Sequence, residues 1–243
     1  MDGATVVLFR PRADARPRFV YHSVIDGICR MGWDELNCDE VMRVATAYYF
    51  FSVQFRENLE VARDFHPNDD KLAALCEGEC DTDNLSPWPG IAAAGERMNH
   101  DEFMRRVIEL HPAAKDQRLI ESGLAYLEKT RGIDPAARAA SIASYEDGGL
   151  SRVFGAMLRA PHWYGQGQRA FRFFLEQHID FDSDDGACHG SLSRHLQADD
   201  RVLPLWTLFR DLLVRAVPKL ATVAAVTRRQ SRTPVLMRPL RVV

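Results

Sequence analysis

The segment Phe173-Phe174-Leu175-Glu176-Gln177-His178-Ile179-Asp180-Phe181-Asp182-Ser183-Asp184-Asp185-Gly186-Ala187-Cys188-His189-Gly190 places imidazoles and carboxylates where a helix ordinarily buries leucine. Read as helix, Phe171, Phe174, Leu175, His178 and Asp182 fall at i, i+3, i+4, i+7 and i+11, so two polar groups continue an apolar stripe. His189 lies eleven residues beyond His178, about 20° further round a wheel of about 100° per residue. A dry carboxylate between two imidazoles is costly unless a cation neutralises it, and His with Asp is a ligand mix that suits ferrous iron, manganese or zinc. The bland reading is a satisfied core histidine followed by an acidic turn. It loses ground because the same polar-on-apolar pattern recurs. Gly186 loosens the helix, so His189 arrives either through a bulge or on a second helical segment.

Glu146 repeats the anomaly, with Leu150, Val153 and Met157 following at i+4, i+7 and i+11. An unpaired carboxylate on such a stripe costs several kcal/mol, so a cationic partner is expected. His100 heads a third stripe made by Phe103, Met104, Val107 and Ile108. An early carboxylate is needed to balance two ions. Glu79 continues the face of Leu72, Leu75 and Cys76, Glu96 stands one turn before His100 if that helix starts early, and Glu57 follows Phe50 and Val53. Glu79 is preferred, with Glu96 retained beside it. The candidate ligands are therefore Glu79, Glu96, His100, Glu146, His178, Asp182 and His189.

The elements that must position these side chains read as helix after helix, with hardly any period-two alternation of β-branched residues. The fold class is all-α. A long helix over about Cys38 to Phe65, rich in Tyr48, Tyr49, Phe50, Phe51 and Phe55, is apolar around most of its circumference, as a central bundle helix should be. Pro67-Asn68-Asp69-Asp70 ends it and caps a helix running to about Cys80. Asn84-Leu85-Ser86-Pro87-Trp88-Pro89-Gly90 is a loop, and a connection this long usually has a job. Further helices are expected at about Asn99 to Leu110, Ala114 to Thr130, Pro135 to Arg159 and Trp163 to Asp182, with a last one carrying Leu203, Trp206, Phe209, Leu212 and Leu213. That makes about seven principal helices in one domain, flanked by a loose N-terminal arm (about 1–18) and a basic tail (about 226–243).

The 243 residues suffice for one large domain, and a net charge of −3 with mixed signs argues against a nucleic-acid surface. There is no signal-peptide pattern and no apolar run long enough to span a bilayer, so a cytoplasmic protein without membrane contact is expected. Five scattered cysteines form no disulfide framework.

The order Glu79 or Glu96, His100, Glu146, His178, Asp182, His189 resembles the haem-oxygenase-like diiron oxidases, the iron-containing redox enzymes, over about Tyr48 to Leu213. The resemblance implies a seven-helix bundle holding two ferrous ions, with O2 as cosubstrate. It also implies a small-molecule substrate in a biosynthetic pathway, preferably amino-acid-derived, that is N-oxygenated, desaturated, cleaved or cyclised. A homodimer is compatible with it. Many members place the last His three residues after the Asp; here seven residues separate Asp182 from His189, which keeps Asp185 as the rival ligand. Two other readings stand beside it: a metal-free, thiaminase-like hydrolase using Cys80 or Cys188 as nucleophile, and a non-catalytic helical binding protein.

Overall fold

The computed structural model describes residues 19–111, 116–146, 148–183 and 189–221. The expected N-terminal arm and the basic tail lie outside them, as do Asp184, Asp185 and Cys188. Among the described residues the chain is all-helical, with two isolated β-bridges and no strand. Where about seven principal helices are expected, the described residues form ten α-helices, several of them short: α1 (Tyr21–Cys29), α2 (Cys38–Phe65), α3 (Asp70–Glu79), α4 (His100–Glu109), α5 (Gln117–Arg131), α6 (Pro135–Glu146), α7 (Gly149–Met157), α8 (Gln166–Ser183), α9 (His189–Ser193) and α10 (Leu203–Ala216).

The long α2 is started by a capping box, in which the Asn37 side chain accepts from the Glu40 amide and the Glu40 carboxylate accepts from the Asn37 amide. It is buried at positions all along its length and packs against α3, α4, α5, α6, α8 and α10. Tyr48 at its middle meets Phe51, Phe154 and Phe174 at ring separations of 5.5 Å each. Asp69 caps α3 by accepting from the Lys71 and Leu72 amides, as the Pro67–Asp70 run predicts.

The largest departure from expectation is at Pro135–Arg159, read as one helix and found as two. Gly148 takes a left-handed backbone (φ 82°), and Gly149 lies so close to the preceding turn that no side chain fits there. A Cβ on Gly149 would sit 2.0 Å from the Ser144 carbonyl oxygen and 3.0 Å from the Trp206 ring. The break leaves Glu146 as the last residue of α6 instead of the first residue of a stripe shared with Leu150, Val153 and Met157. It stays buried all the same.

Gly149→Ala should lower stability by about 1–3 kcal/mol in chemical denaturation, because backbone oxygen and an indole ring must move aside. Gly155→Ala, in the same helix and with nothing within 4 Å of the added carbon, should leave stability unchanged or raise it by about 0.5–1 kcal/mol.

Candidate metal centre

Three of the sequence-selected side chains meet. Glu79 stands on the last turn of α3, His100 is the first residue of α4, and His178 lies in the second half of α8. One ligand atom from each falls within 4.8 Å of the others, and all three residues are buried, at 6%, 5% and 8% exposure. His100 Nδ1 is 2.7 Å from Glu79 Oε2 and 3.0 Å from His178 Nε2. His178 Nδ1 lies 2.7 Å from the Phe174 carbonyl oxygen, which can only accept; Nδ1 therefore carries the proton, and the neutral ring turns the lone pair of Nε2 toward His100. The ring of His178 stacks on Phe174 at 4.0 Å, which holds its plane.

These separations suit a metal ion. Two donors placed cis on an octahedral ion with bonds near 2.1 Å are about 3.0 Å apart, and on a tetrahedral ion about 3.4 Å. Donor edges of 2.7 and 3.0 Å therefore need little movement to close on a cation. Two imidazoles and a carboxylate are also the donor set that non-haem ferrous iron takes.

The group opens on a cavity of about 20 Å³, room for one water-sized species. Its wall includes Tyr48, Ser52 and Phe55 from α2, Glu146 from the end of α6, and Asp101 beside His100. Glu146 is thus brought to the centre by tertiary packing although its helical stripe is broken. Arg56 also lines the cavity; its Nε donates to Asp101 Oδ2 at 3.0 Å and its Nη1 to Glu60 at 2.7 Å.

The remaining candidates fall elsewhere. Glu96 is a correction: α4 begins at His100, so no helical turn carries Glu96 onto its face, and its carboxylate accepts from Arg106 and the Ala93 amide in the loop before α4. Glu57 pairs with Arg131 across α2 and α5. Asp182 lies near the end of α8 and His189 opens α9, but both side chains lie outside the described residues, as does the rival Asp185.

The polar cavity residues not selected from sequence were Tyr48, Ser52, Arg56 and Asp101. The first two and Phe55 share a face of α2 at i, i+4 and i+7, a signal hidden because α2 is apolar nearly all round.

No protein-family model, no characterised protein and no solved structure matches this chain.

Burial raises the Cys80 thiol far above its ordinary range, and the neighbouring Cys76 reinforces the shift. A nucleophilic cysteine needs the opposite, a thiol readily ionised near neutral pH. Alkylation by iodoacetamide at pH 7.5 should accordingly be slower at Cys80 than at a free thiol, as read by mass spectrometry. Cys80→Ser should leave metal uptake within about threefold of wild type.

Proposed function

We propose that this chain is a non-haem diiron oxidase or oxygenase that uses O2 to modify a small, amino-acid-derived molecule in a biosynthetic pathway. The observation that carries this reading is the convergence of Glu79, His100 and His178, from three helices, on one buried point with donor spacings close to those around a first-row metal ion. Glu79, His100 and His178 would hold one ferrous ion. Glu146, buried in the same cavity wall, would serve a second. The ligand order that resembles the haem-oxygenase-like diiron oxidases assigns Asp182 and His189 to that second ion. When bound, ferrous iron supplies the binding and stepwise reduction of O2 that protein side chains do not perform.

The chain's own part is to orient and to exclude. The Phe174 carbonyl fixes which nitrogen of His178 faces inward. Tyr48, Phe55, Leu150 and Phe174 make the wall around the donors largely apolar, which lowers the local dielectric and strengthens every ligand interaction. Asp101 and Arg56 form the charged part of that wall, where a polar substrate group would be received. A two-His, one-carboxylate set is also complete for a single ferrous ion, so a mononuclear oxygenase is the second reading that the geometry favours.

Anaerobic loading with ferrous iron, metal analysis and oxygen-electrode measurements separate these. About two irons per chain and O2 uptake with an amine, amino-acid or fatty-acid panel are expected. His178→Ala should lose at least one iron with helical content unchanged, and Glu146→Gln the second iron. About one iron per chain, unaffected by Glu146→Gln, would assign the mononuclear reading. No tight iron in the wild type would overturn both and leave a helical binding protein.

A further inference from the structure

The two ligands Glu79 and His100 are separated in sequence by a long loop, and that loop reaches back into the site through one side chain. Asn84 Nδ2 donates to the Gly78 carbonyl oxygen at 2.8 Å. A carbonyl only accepts, so this contact settles which end of the amide is which. The amide oxygen of Asn84 is then the atom facing His100 Nε2, at 2.9 Å. That oxygen also only accepts, so Nε2 must carry a proton.

In the neutral ring the lone pair is thereby left on Nδ1, the nitrogen that lies 2.7 Å from Glu79 Oε2 and 3.0 Å from His178 Nε2. We infer that Asn84 is a positioning residue: by holding the Nε2–H tautomer of His100, it presents Nδ1 to the metal. The inference rests on the metal-site reading above and deepens it, for it names the group that sets a ligand's binding atom. His178 is treated in the same way by the Phe174 carbonyl, so both imidazoles have their outward nitrogen tied to an acceptor and their inward nitrogen unprotonated.

A purely structural role for Asn84 has less to recommend it, because the loop is already closed without it. Thr82 and Met98 exchange backbone hydrogen bonds of 3.0 and 2.9 Å, and the Asn99 side chain accepts from the Asp81 amide at 2.9 Å. These contacts join the end of α3 to the start of α4. The amide of Asn84 adds orientation to a junction that is already made.

Three variants separate the roles. Asn84→Asp, Asn84→Leu and Asn84→Ser all lose the donor to Gly78, so a packing role would weaken them alike. Only Asn84→Asp keeps an acceptor at the length needed to reach His100. Titration with cobalt(II), followed by its visible ligand-field absorption, should show Asn84→Asp at or above wild-type affinity. Asn84→Leu and Asn84→Ser should be about 10- to 100-fold weaker, with circular dichroism unchanged in at least Asn84→Ser.

Since the aspartate charge alone would favour a cation, long-range proton–nitrogen NMR of the zinc-loaded protein supplies the independent readout. Wild type and Asn84→Asp should show a protected Nε2–H on His100 with Nδ1 bound to zinc, and Asn84→Ser should lose that signal. Equal affinity in wild type and Asn84→Ser, or Nε2 of wild-type His100 bound to zinc, would overturn the tautomer role while leaving the metal site standing. A wild type that takes up neither cobalt nor zinc would overturn the metal-site reading itself and this inference with it.

Discussion

Drying a carboxylate and two imidazoles on apolar helix faces costs several kcal/mol for each uncompensated group, and the meeting of α3, α4 and α8 is organised around offsetting that cost. His100 Nε2 bonds to the Asn84 amide oxygen at 2.9 Å, and its Nδ1 stands 2.7 Å from Glu79 Oε2. His178 uses the Phe174 carbonyl one turn earlier in its own helix, an acceptor available without leaving the helix. Each imidazole is therefore held at its outward nitrogen by an acceptor on its own helix or on the adjoining loop. Had the three helices packed through leucine alone, they could slide by a fraction of a turn at small cost; hydrogen-bonded imidazoles do not allow it.

The position of the ligands along their helices follows from the same requirement. Glu79 is the last residue of α3 and His100 the first of α4, so both stand where the helical ladder leaves backbone groups without intrahelical partners. The chain between them can then supply acceptors and donors that a continuous helix could not. Asp101 and Glu102 in the first turn of α4 complement its positive end. Glu146 at the last turn of α6 repeats the arrangement, with the glycine pair at 148 and 149 ending the helix just past it.

Around this polar centre the packing is aromatic and tight. Tyr48 is surrounded by Phe51, Phe154, Phe171, Phe174 and Phe209, and His178 itself lies edge-on to Phe154 and stacked on Phe174. Rings of this size lose few rotamers on burial and fix the orientation of what they touch. The consequence is a cavity no larger than about 20 Å³, where the donors are preorganised and little bulk water intervenes. A molecule larger than water would enter beside the donors only by displacing wall residues, among which Arg56, at 29% side-chain exposure, is the least enclosed of the charged ones.

The helical class, the central α2, the loop after α3 and the inward, buried placing of Glu79, His100 and His178 were all legible in the sequence, because each depends on short-range periodicity. A polar residue on an apolar stripe is visible from its neighbours at i+3, i+4 and i+7, whatever the rest of the chain does. The choice between Glu79 and Glu96 was not visible in that way. It turned on where α4 starts, and the Thr82–Met98 pairing that keeps residues up to Asn99 out of the helix joins positions far apart in sequence.

The break at Gly148 was likewise hidden, since Glu146 keeps a helical period with Leu150, Val153 and Met157 across it. What ends α6 there is the close approach of Gly149 to Ser144 and Trp206, a contact between α6, α7 and α10 that periodicity cannot register. Asn84 read only as a loop former. Its role depends on two distances, to Gly78 and to His100, that exist only once α3 and α4 are brought together. Local sequence decides which face of a helix is dry; only the assembled bundle decides which dry faces touch, because that is set by long-range packing and by the hydrogen bonds that buried polar atoms must find.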